Sequence, residues 1–490
     1  MADGDPVDLP APPDAQNRPR IGVDEWVGQV EDRREHGPRV RLVNAWNELH
    51  LAAKLAIFVG PAAFLPFVVS SDYWMQVAVI TALYAVLAVG LNVAVGFAGL
   101  LDLGYVAFFG FGAYAYTWLA SEHFDLHWDA TYAIPTVVVA SAALGFIVGL
   151  PSRRLVGDYL AIVTLFFLFI FNTLLLNADR INIPFKEGSI NFTRGPNGIS
   201  TVDPMSFFGL ELRTLDHYFW LSLVTFAVVV GALYLLNESR TGRAWRALRE
   251  DPLAAELMSM PVNRLKLLAF SIGAAAAGLT GSIFAAQNGS VFPVDFDLTL
   301  LISLYAFVIL GGAGSILGVA IGAVTINVAL ELLRTPENAS FVFYFLLLVA
   351  IVAILRRRAA AVLAGIVVLG FLLRLAAEGV KPSWTSGEDR GLTWVDRLVE
   401  DWVLLPTDVA RIDDVAYIGL IAAVLALLQL RGFVRLAALV PVLYLAVFVW
   451  QNVLVIQPSV ARYIMLGAML VALMAARPQG LFGTPRVEIV

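Results

Sequence analysis

Residues Leu91–Tyr114 read LNVAVGFAGLLDLGYVAFFGFGAY, an apolar stretch with one charged side chain, Asp102. A run of about 18 or more apolar residues is long enough to cross a bilayer as a helix. Similar runs recur along the chain, which has 490 residues, 59% of them hydrophobic, and a mean hydropathy of +0.77. Strands of an outer-membrane barrel would alternate apolar and polar residues, and these runs do not. The sequence therefore predicts an all-α, polytopic membrane protein and excludes a disordered chain, a nucleic-acid binder and a soluble enzyme.

The apolar runs predict about 12–14 membrane segments, some of them short or broken. They are 51–70, 74–95, 98–120, 132–150, 158–177, 217–236, 266–286, 298–310, 316–333, 341–358, 359–376, 415–431, 434–452 and 460–476. The segment 298–310 is too short to span a bilayer at about 1.5 Å per residue, and Gly311-Gly312 follows it. This pattern predicts half-helices joined by irregular backbone, which is tolerated only inside protein or beside a cavity.

The distribution of charge among the loops predicts the orientation of the chain. Short loops rich in Lys and Arg stay in the cytoplasm. Arg residues cluster in the loops 151–157 and 237–265, at Arg356–Arg358, and at Arg431 with Arg435, whereas acids dominate the alternate loops 121–131 and 377–414. We therefore expect both chain termini to lie in the cytoplasm.

The opening stretch is the first candidate for a translocation path. Glycine in a membrane helix permits close helix approach or a break, and a charged residue such as Asp102 is expected to face protein or water. Spacing alone leaves two interpretations open: a broken helix beside a path, or tight packing with Asp102 near the cytoplasmic interface. The candidates in this stretch are Asn92, Gly96, Gly99, Asp102, Gly104, Gly112 and Tyr114.

A second glycine-rich stretch, Ile309–Gly318, lies between two short apolar segments. No Lys-Ser/Thr follows it, which excludes a phosphate-binding loop. Its spacing echoes Gly96-Phe-Ala-Gly99 and indicates an internal repeat of the kind that transporters have. It adds to the path candidates Gly311, Gly312, Gly314, Ser315 and Gly318.

The loop 237–265 carries the third candidate site. We expect two short helices divided at Pro252, with arginines at every third position beside a strip of small Ala side chains. Such a helix could lie on the membrane, bind anionic lipid or dock into a partner, and the small side chains favour docking. The candidates are Gly242, Arg243, Arg246, Ala247, Arg249, Glu250, Ala255 and Met258.

The sequence contains no Cys, and it shows no nucleophile elbow, Walker sequence or spacing of metal ligands. No catalytic residue, metal or cofactor is therefore predicted, and the chain is not expected to be an enzyme. Within the spans, Asp102 and Glu331 are the main ionisable residues. An ion-coupled carrier would place acid–base pairs there, so their scarcity favours a separate ATPase as the source of energy.

Together these motifs resemble the M-type permease subunit (LivM) of branched-chain amino-acid ABC importers. The resemblance rests on stretches that occur in family order: Asn92–Tyr114, Gly157–Leu165, Gly195–Ile199, Gly242–Asp251, Gly311–Gly318 and Arg477–Gly483. It implies a second, H-type permease, two ATP-binding subunits, and an external solute-binding protein that delivers leucine, isoleucine, valine or a related solute. It also implies that the loop around Gly242–Met258 contacts the ATPase, and that the glycine-rich stretches line or flex beside the path. Urea and short-chain amide importers share this permease type, which leaves the substrate open.

Four regions are expected: a polar cytoplasmic extension over 1–50, a permease core over 51–335, an insertion of four spans with the acidic outer loop 377–414 over 336–459, and a last span with a cytoplasmic tail over 460–490. The chain departs from the family pattern after Thr164-Leu165, where FFLFIFN replaces Gly and a Glu-containing turn. The predicted function is solute translocation as a permease subunit driven by separate ATPase subunits. An ion-coupled secondary carrier that acts without an ATPase is the alternative.

Overall fold

A computed structural model describes residues 51–151, 157–179, 181–182, 189–385, 393–407, 413–454, 458–476 and 480–481. The predicted extension 1–50 and most of the motif 477–483 lie outside the described residues. Contacts divide the chain into two units, Met1–Leu65 and Pro66–Val490. The described part of the first unit is helix α1 (Leu51–Ala63), which contains Pro61, and helix α2 (Leu65–Val68) begins at the boundary.

Helices dominate the second unit, as the sequence predicts. They are α3 (Asp72–Asn92), α4 (Tyr105–Leu119), α5 (Ala130–Gly149), α6 (Asp158–Asn177), α7 (Leu215–Glu238), α8 (Arg240–Glu250), α9 (Pro252–Leu257), α10 (Val262–Asn288), α11 (Leu298–Gly311), α12 (Ile316–Leu332), α13 (Pro336–Leu355), α14 (Ala359–Val380), α15 (Trp394–Glu400), α16 (Asp413–Gln429), α17 (Gly432–Val449) and α18 (Pro458–Ala476). A π-helical turn, Val93–Phe97, continues α3, and another, Trp450–Leu454, continues α17.

Among the described residues, seven helical segments are long and apolar enough to cross a membrane. An eighth results if α12 and the following α13, which meet at an angle of 114°, count as one broken span. Shorter apolar helices include α11 and most of α16. The predicted span 98–120 is helical only from Tyr105, because the chain forms a turn over 98–104. The architecture is a polytopic helical bundle with short and broken segments.

Helices α3 and α10 form the centre of the bundle. In their apolar windows 78% and 72% of the residues are buried, against 22–44% in the other single-helix spans. Small residues bring α10 against its neighbours: a Cβ added at Gly112 of α4 would collide with the backbone of Gly278, and one at Gly145 of α5 would collide with Ala274. Such close approach strengthens helix packing in membranes, where apolar burial between helices gives little driving force.

Two-residue strands pair in the loops. Strand β1 (Ala120–Ser121) pairs with β2 (Leu126–His127), β3 (Ile181–Asn182) with β4 (Ser189–Ile190), β5 (Ile199–Ser200) with β8 (Ser290–Val291), and β6 (Ser206–Phe207) with β7 (Leu210–Glu211). A side-chain contact adds to these pairs, since His127 Nδ1 lies 2.7 Å from Asp203 Oδ2. This hydrogen bond and the negative charge of Asp203 raise the pKa of His127 above its usual value.

Helices α13 to α17 share an apolar core of their own. In this core the rings of Phe343 and Trp450 stack with centroids 4.1 Å apart. The Gln451 amide bridges two side chains, accepting from the Tyr344 hydroxyl at 2.9 Å and donating to Glu400 at 2.8 Å. The predicted insertion 336–459 therefore contains a packed helical cluster. Its predicted boundaries stay a prediction.

Candidate functional site

The first glycine-rich stretch forms a break between α3 and α4. The π-helical turn ends at Phe97, and Gly99 follows with a positive φ of 69°. Asp102 is 1% exposed; its carboxylate accepts from the Gly104 amide at 3.0 Å, and its backbone carbonyl accepts from the Tyr305 hydroxyl at 2.9 Å. Thr164 of α6 also supports the turn, because its hydroxyl accepts from the Leu103 amide at 2.9 Å. Asp102 therefore faces protein, where its charge is shielded from lipid.

The second glycine-rich stretch forms a break between α11 and α12. Helix α11 ends at Gly311, and Gly312 and Gly314 follow with φ of 98° and 93°. Ser315 then caps α12, since its hydroxyl accepts from the Gly318 amide at 3.1 Å. A Cβ at Gly311 would collide with the backbone of Gly318, so α11 and α12 form a tight hairpin. The predicted pair of short helices joined by irregular backbone is present.

The two breaks meet in space. The side-chain oxygen of Asn92, at the end of α3, accepts from the Gly314 amide at 2.9 Å across 222 residues of sequence. A Cβ at Gly96 would collide with the Gly314 amide nitrogen, so the two backbones touch where side chains are absent. The stretches that echo each other in sequence therefore form one junction, which we call the glycine junction and define as Asn92–Gly99 with Gly311–Ser315.

Helix α8 packs on this junction through Trp245. Ser239 caps the helix by accepting from the Thr241 and Gly242 amides at 3.2 and 3.4 Å. The indole of Trp245 is fully buried, donates to the Leu265 carbonyl at 2.9 Å and stacks on Phe97. Trp245 thereby fixes α8 to both α10 and the first break.

Arg249 extends from α8 into the glycine junction. Its Nη1 donates to the Gly96 carbonyl at 2.5 Å. A Cβ at Gly314 would lie 2.6 Å from the same nitrogen, and one at Gly99 would lie 3.0 Å from Arg249 Cγ. One side chain of α8 thus contacts both breaks, and the glycines leave the space that it occupies.

The other face of α8 and the following α9 are exposed. We call this surface the loop face and define it by its exposed charged and apolar side chains: Arg243, Arg246, Glu250, Leu253, Leu257 and Met258. The Asp251 carboxylate caps α9 by accepting from the amides of Leu253 and Ala254 at 2.8 and 3.1 Å. An exposed apolar group beside charges is typical of an interaction surface. Ala247 is half-buried, whereas Gly242 and Ala255 are buried and pack within the chain.

Five predicted path residues lie outside the glycine junction: Asp102 and Gly318, described above, and Gly104, Gly112 and Tyr114. Gly112 contacts Gly278 of α10, and Gly104 lies against the Thr164 carbonyl. The ring of Tyr114 packs edge-on against Phe296, and its buried hydroxyl has no partner among the described residues. The two interpretations left open by the spacing thus apply to different residues: a break at Gly96–Gly99 and tight packing at Gly112.

The sequence alone did not identify the buried Trp245, nor the contact of Arg249 with both breaks. Gly242, Trp245 and Leu248 are the buried side of α8, and they recur at the same spacing of three as Arg243, Arg246 and Arg249. The available signal was Trp245 itself, the single aromatic residue of the loop 237–265.

Comparison with known proteins assigns the family. The model of the family described as "Branched-chain amino acid transport system / permease component" matches residues 73–354, which run from α3 into α13. The permease protein LivM of Salmonella typhimurium is 39% identical over 311 residues, 59% of this chain and 68% of that protein, and LivM of Escherichia coli K12 is 38% identical over the same shares. LivH of Salmonella typhimurium is 25% identical over 265 residues, 51% of this chain and 81% of that protein.

No solved structure matches the chain. These relatives are permease proteins of high-affinity branched-chain amino acid transport systems. With its family match and its apolar helices, the chain belongs to the branched-chain amino acid transport permease family and is a multi-pass membrane protein.

Proposed function

We propose that this chain is the M-type permease subunit of an ABC importer and carries branched-chain amino acids, or a related small solute, across the bacterial cytoplasmic membrane. Relatives of both LivM and LivH type support a system with two permeases. In the proposed complex the chain pairs with an H-type permease, two ATP-binding subunits drive transport, and an external binding protein delivers the solute.

The observation that carries this proposal is the contact of Arg249 with both breaks. A hydrogen bond from a guanidinium is stronger than one between neutral groups, so α8 and the first break are held together. When an ATP-binding subunit closes on α8, a displacement of this helix acts directly on the glycine junction. The junction can respond because its glycines lack the side chains that would block a change of backbone conformation.

The orientation follows from the arginines of α8. The positive-inside rule places α8, and with it the glycine junction, at the cytoplasmic ends of α3 and α11. With this orientation both chain termini are cytoplasmic. The ATP-binding subunits then meet the loop face, whose apolar side chains Leu257 and Met258 are 86% and 75% exposed.

Copurification of the complex tests this proposal. We expect Arg246→Glu and Leu257→Asp to abolish association of the ATP-binding subunits and ATP-driven uptake of leucine. Leu210→Asp is the matched control, since Leu210 is 75% exposed in the β6–β7 hairpin and lies outside the loop face. Unchanged association and uptake in both loop-face variants would show that the assignment of this surface is wrong.

A further inference from the structure

A cleft of about 470 Å³ opens between α3, α11, α12 and α18, away from the glycine junction. Its volume lies within the range of pockets that bind small molecules, roughly 300–1,000 Å³. The charged and polar side chains in its wall are Asp297, Thr299, Ser303, Asn327, Glu331 and Arg462. The cleft therefore combines charges of both signs in the helical bundle.

Arg462 supplies the positive charge. Its Nε is buried and has no hydrogen-bond partner among the described residues. Its Nη2 donates to the Tyr463 hydroxyl at 3.4 Å, which leaves further donors of the guanidinium for another group. A buried donor without an acceptor is unfavourable, and a carboxylate is the acceptor that matches a guanidinium best. The cleft thus favours a ligand that brings a carboxylate to Arg462.

Two carboxylates supply the negative charge. Asp297 caps α11, accepting from the Thr299 and Leu300 amides at 2.9 and 3.2 Å, and no Lys or Arg of the described chain forms an ion pair with it. Glu331 accepts from Arg334 at 3.1 Å and from the Tyr73 hydroxyl. An ionised carboxyl group has about four acceptor sites, so both can accept further hydrogen bonds from an ammonium group.

The rest of the wall is apolar apart from the hydroxyl groups of Tyr84 and Tyr463. Val77 and Ile80 of α3, Leu300 and Phe307 of α11, and Leu330 of α12 line the cleft. Small-ligand sites typically join such a wall to a few polar groups that fix orientation. A guanidinium, two carboxylates and an aliphatic surface together match the three parts of an α-amino acid with an aliphatic side chain.

Two of the helices that line the cleft, α3 and α11, end at the glycine junction. Tyr84 lines the cleft eight residues before Asn92, which is about 12 Å along α3 at 1.5 Å per residue. On α11, Phe307 lines the cleft and Gly311 ends the helix. The cleft and the junction are therefore at different depths along the same helices, and the orientation proposed above places the cleft toward the outer face.

We infer that this cleft is an outer binding site for the transported solute and takes an aliphatic α-amino acid in its zwitterionic form, with its carboxylate at Arg462 and its ammonium at Asp297 and Glu331. This inference rests on the proposed function, whose substrate class it specifies. Recognition at this point occurs within the permease and does not depend on the external binding protein.

Thiol protection tests the site directly, because the sequence contains no Cys. Ile80→Cys places the only thiol of this chain in the cleft wall, and Ser200→Cys in β5 is the exposed control. The complete complex, without its binding protein, is placed in proteoliposomes and treated with a charged thiol reagent, and modification of this subunit is followed by mass. L-leucine is compared with leucinamide, which lacks the carboxylate, and with 4-methylpentanoate, which lacks the ammonium.

At about ten times its dissociation constant, L-leucine should slow modification of Ile80→Cys about tenfold by mass action. Neither analogue should protect at that concentration, and Ser200→Cys should be insensitive to all three compounds. Arg462→Gln should weaken protection about tenfold or more, Arg462→Lys should weaken it less, and Arg435→Gln on α17 should leave it unchanged. No protection by leucine, or full protection in Arg462→Gln, would overturn the inference. ATP-driven uptake by the wild-type complex judges the proposed function separately, since protection does not require transport.

Discussion

We expect Arg249→Ala to uncouple ATP hydrolysis from transport. The substitution removes the hydrogen bond from Nη1 to the Gly96 carbonyl and the contacts with Gly99 and Gly314. It leaves Trp245 buried, so α8 keeps its main anchor and its exposed loop face. Association with the ATP-binding subunits should therefore persist, while displacement of α8 should no longer reach the glycine junction efficiently.

The size of the effect follows from the lost interaction. A hydrogen bond to a charged group contributes about 1.5–3 kcal/mol, and we take the lower end because Arg249 is half-buried. Since about 1.4 kcal/mol corresponds to a factor of ten, the number of leucine molecules transported per ATP should fall about tenfold. Arg249→Lys should recover only part of this loss, because an ammonium cannot reproduce the planar guanidinium.

The assay measures leucine uptake and phosphate release in the same proteoliposomes. Arg240→Ala is the matched control, since Arg240 is an exposed arginine on the same helix and lies outside both the loop face and the junction. We expect a wild-type ratio of uptake to hydrolysis for this control, and a ratio reduced about tenfold, with hydrolysis retained, for Arg249→Ala. An Arg249→Ala complex with the wild-type ratio of uptake to hydrolysis would refute it.

Three further predictions concern the junction, the anchor and the loops. Gly314→Ala should reduce uptake more than Gly209→Ala does. Both glycines have a positive φ, but only a Cβ at Gly314 would meet Arg249. An uptake assay on both variants checks this expectation. Trp245→Ala should destabilise the protein by about 3–5 kcal/mol, as loss of a buried aromatic side chain does. Thermal unfolding in detergent measures this loss, and it should show a far smaller change for Trp220→Ala, because Trp220 is partly exposed. The raised pKa of His127 should make the His127–Asp203 contact stabilise the fold fully below the ordinary His pKa and lose this contribution as the pH rises through the raised value. Unfolding midpoints measured across this interval should fall in the wild type, and this part of the fall should vanish in Asp203→Asn.

The positions of the breaks could be predicted from sequence more closely than their shapes. Two short apolar segments separated by glycines predict the hairpin of α11 and α12, because no continuous helix fits that pattern. The predicted start of helix α4 was wrong. The apolar run 98–120 looks continuous in hydropathy, although Asp102 and Gly99 favour a turn. Hydropathy measures how well a segment suits lipid. It does not reveal a local hydrogen bond in which a side-chain oxygen accepts from a backbone amide two residues further along the chain.

Contacts distant in sequence could not be predicted. Arg243, Arg246 and Arg249 share one spacing, yet only Arg249 donates to Gly96, 153 residues away. The cleft was missed for the same reason: Asp297 and Arg462 are ordinary span-end charges in the sequence, and only the packing of α11 beside α18 gives them a common cavity. The apolar core of α13 to α17 likewise depends on a pair such as Phe343 and Trp450, which no local pattern links.

The source of energy is the most direct test of the account. Leucine uptake is measured in proteoliposomes that contain this chain with its second permease, either with or without the ATP-binding subunits, and with the external binding protein added outside. The measurement is made in the presence and absence of internal ATP and of an ion gradient. We expect uptake only when the ATP-binding subunits and ATP are both present, with no requirement for the gradient. Gradient-driven uptake by the proteoliposomes that lack the ATP-binding subunits would contradict this expectation.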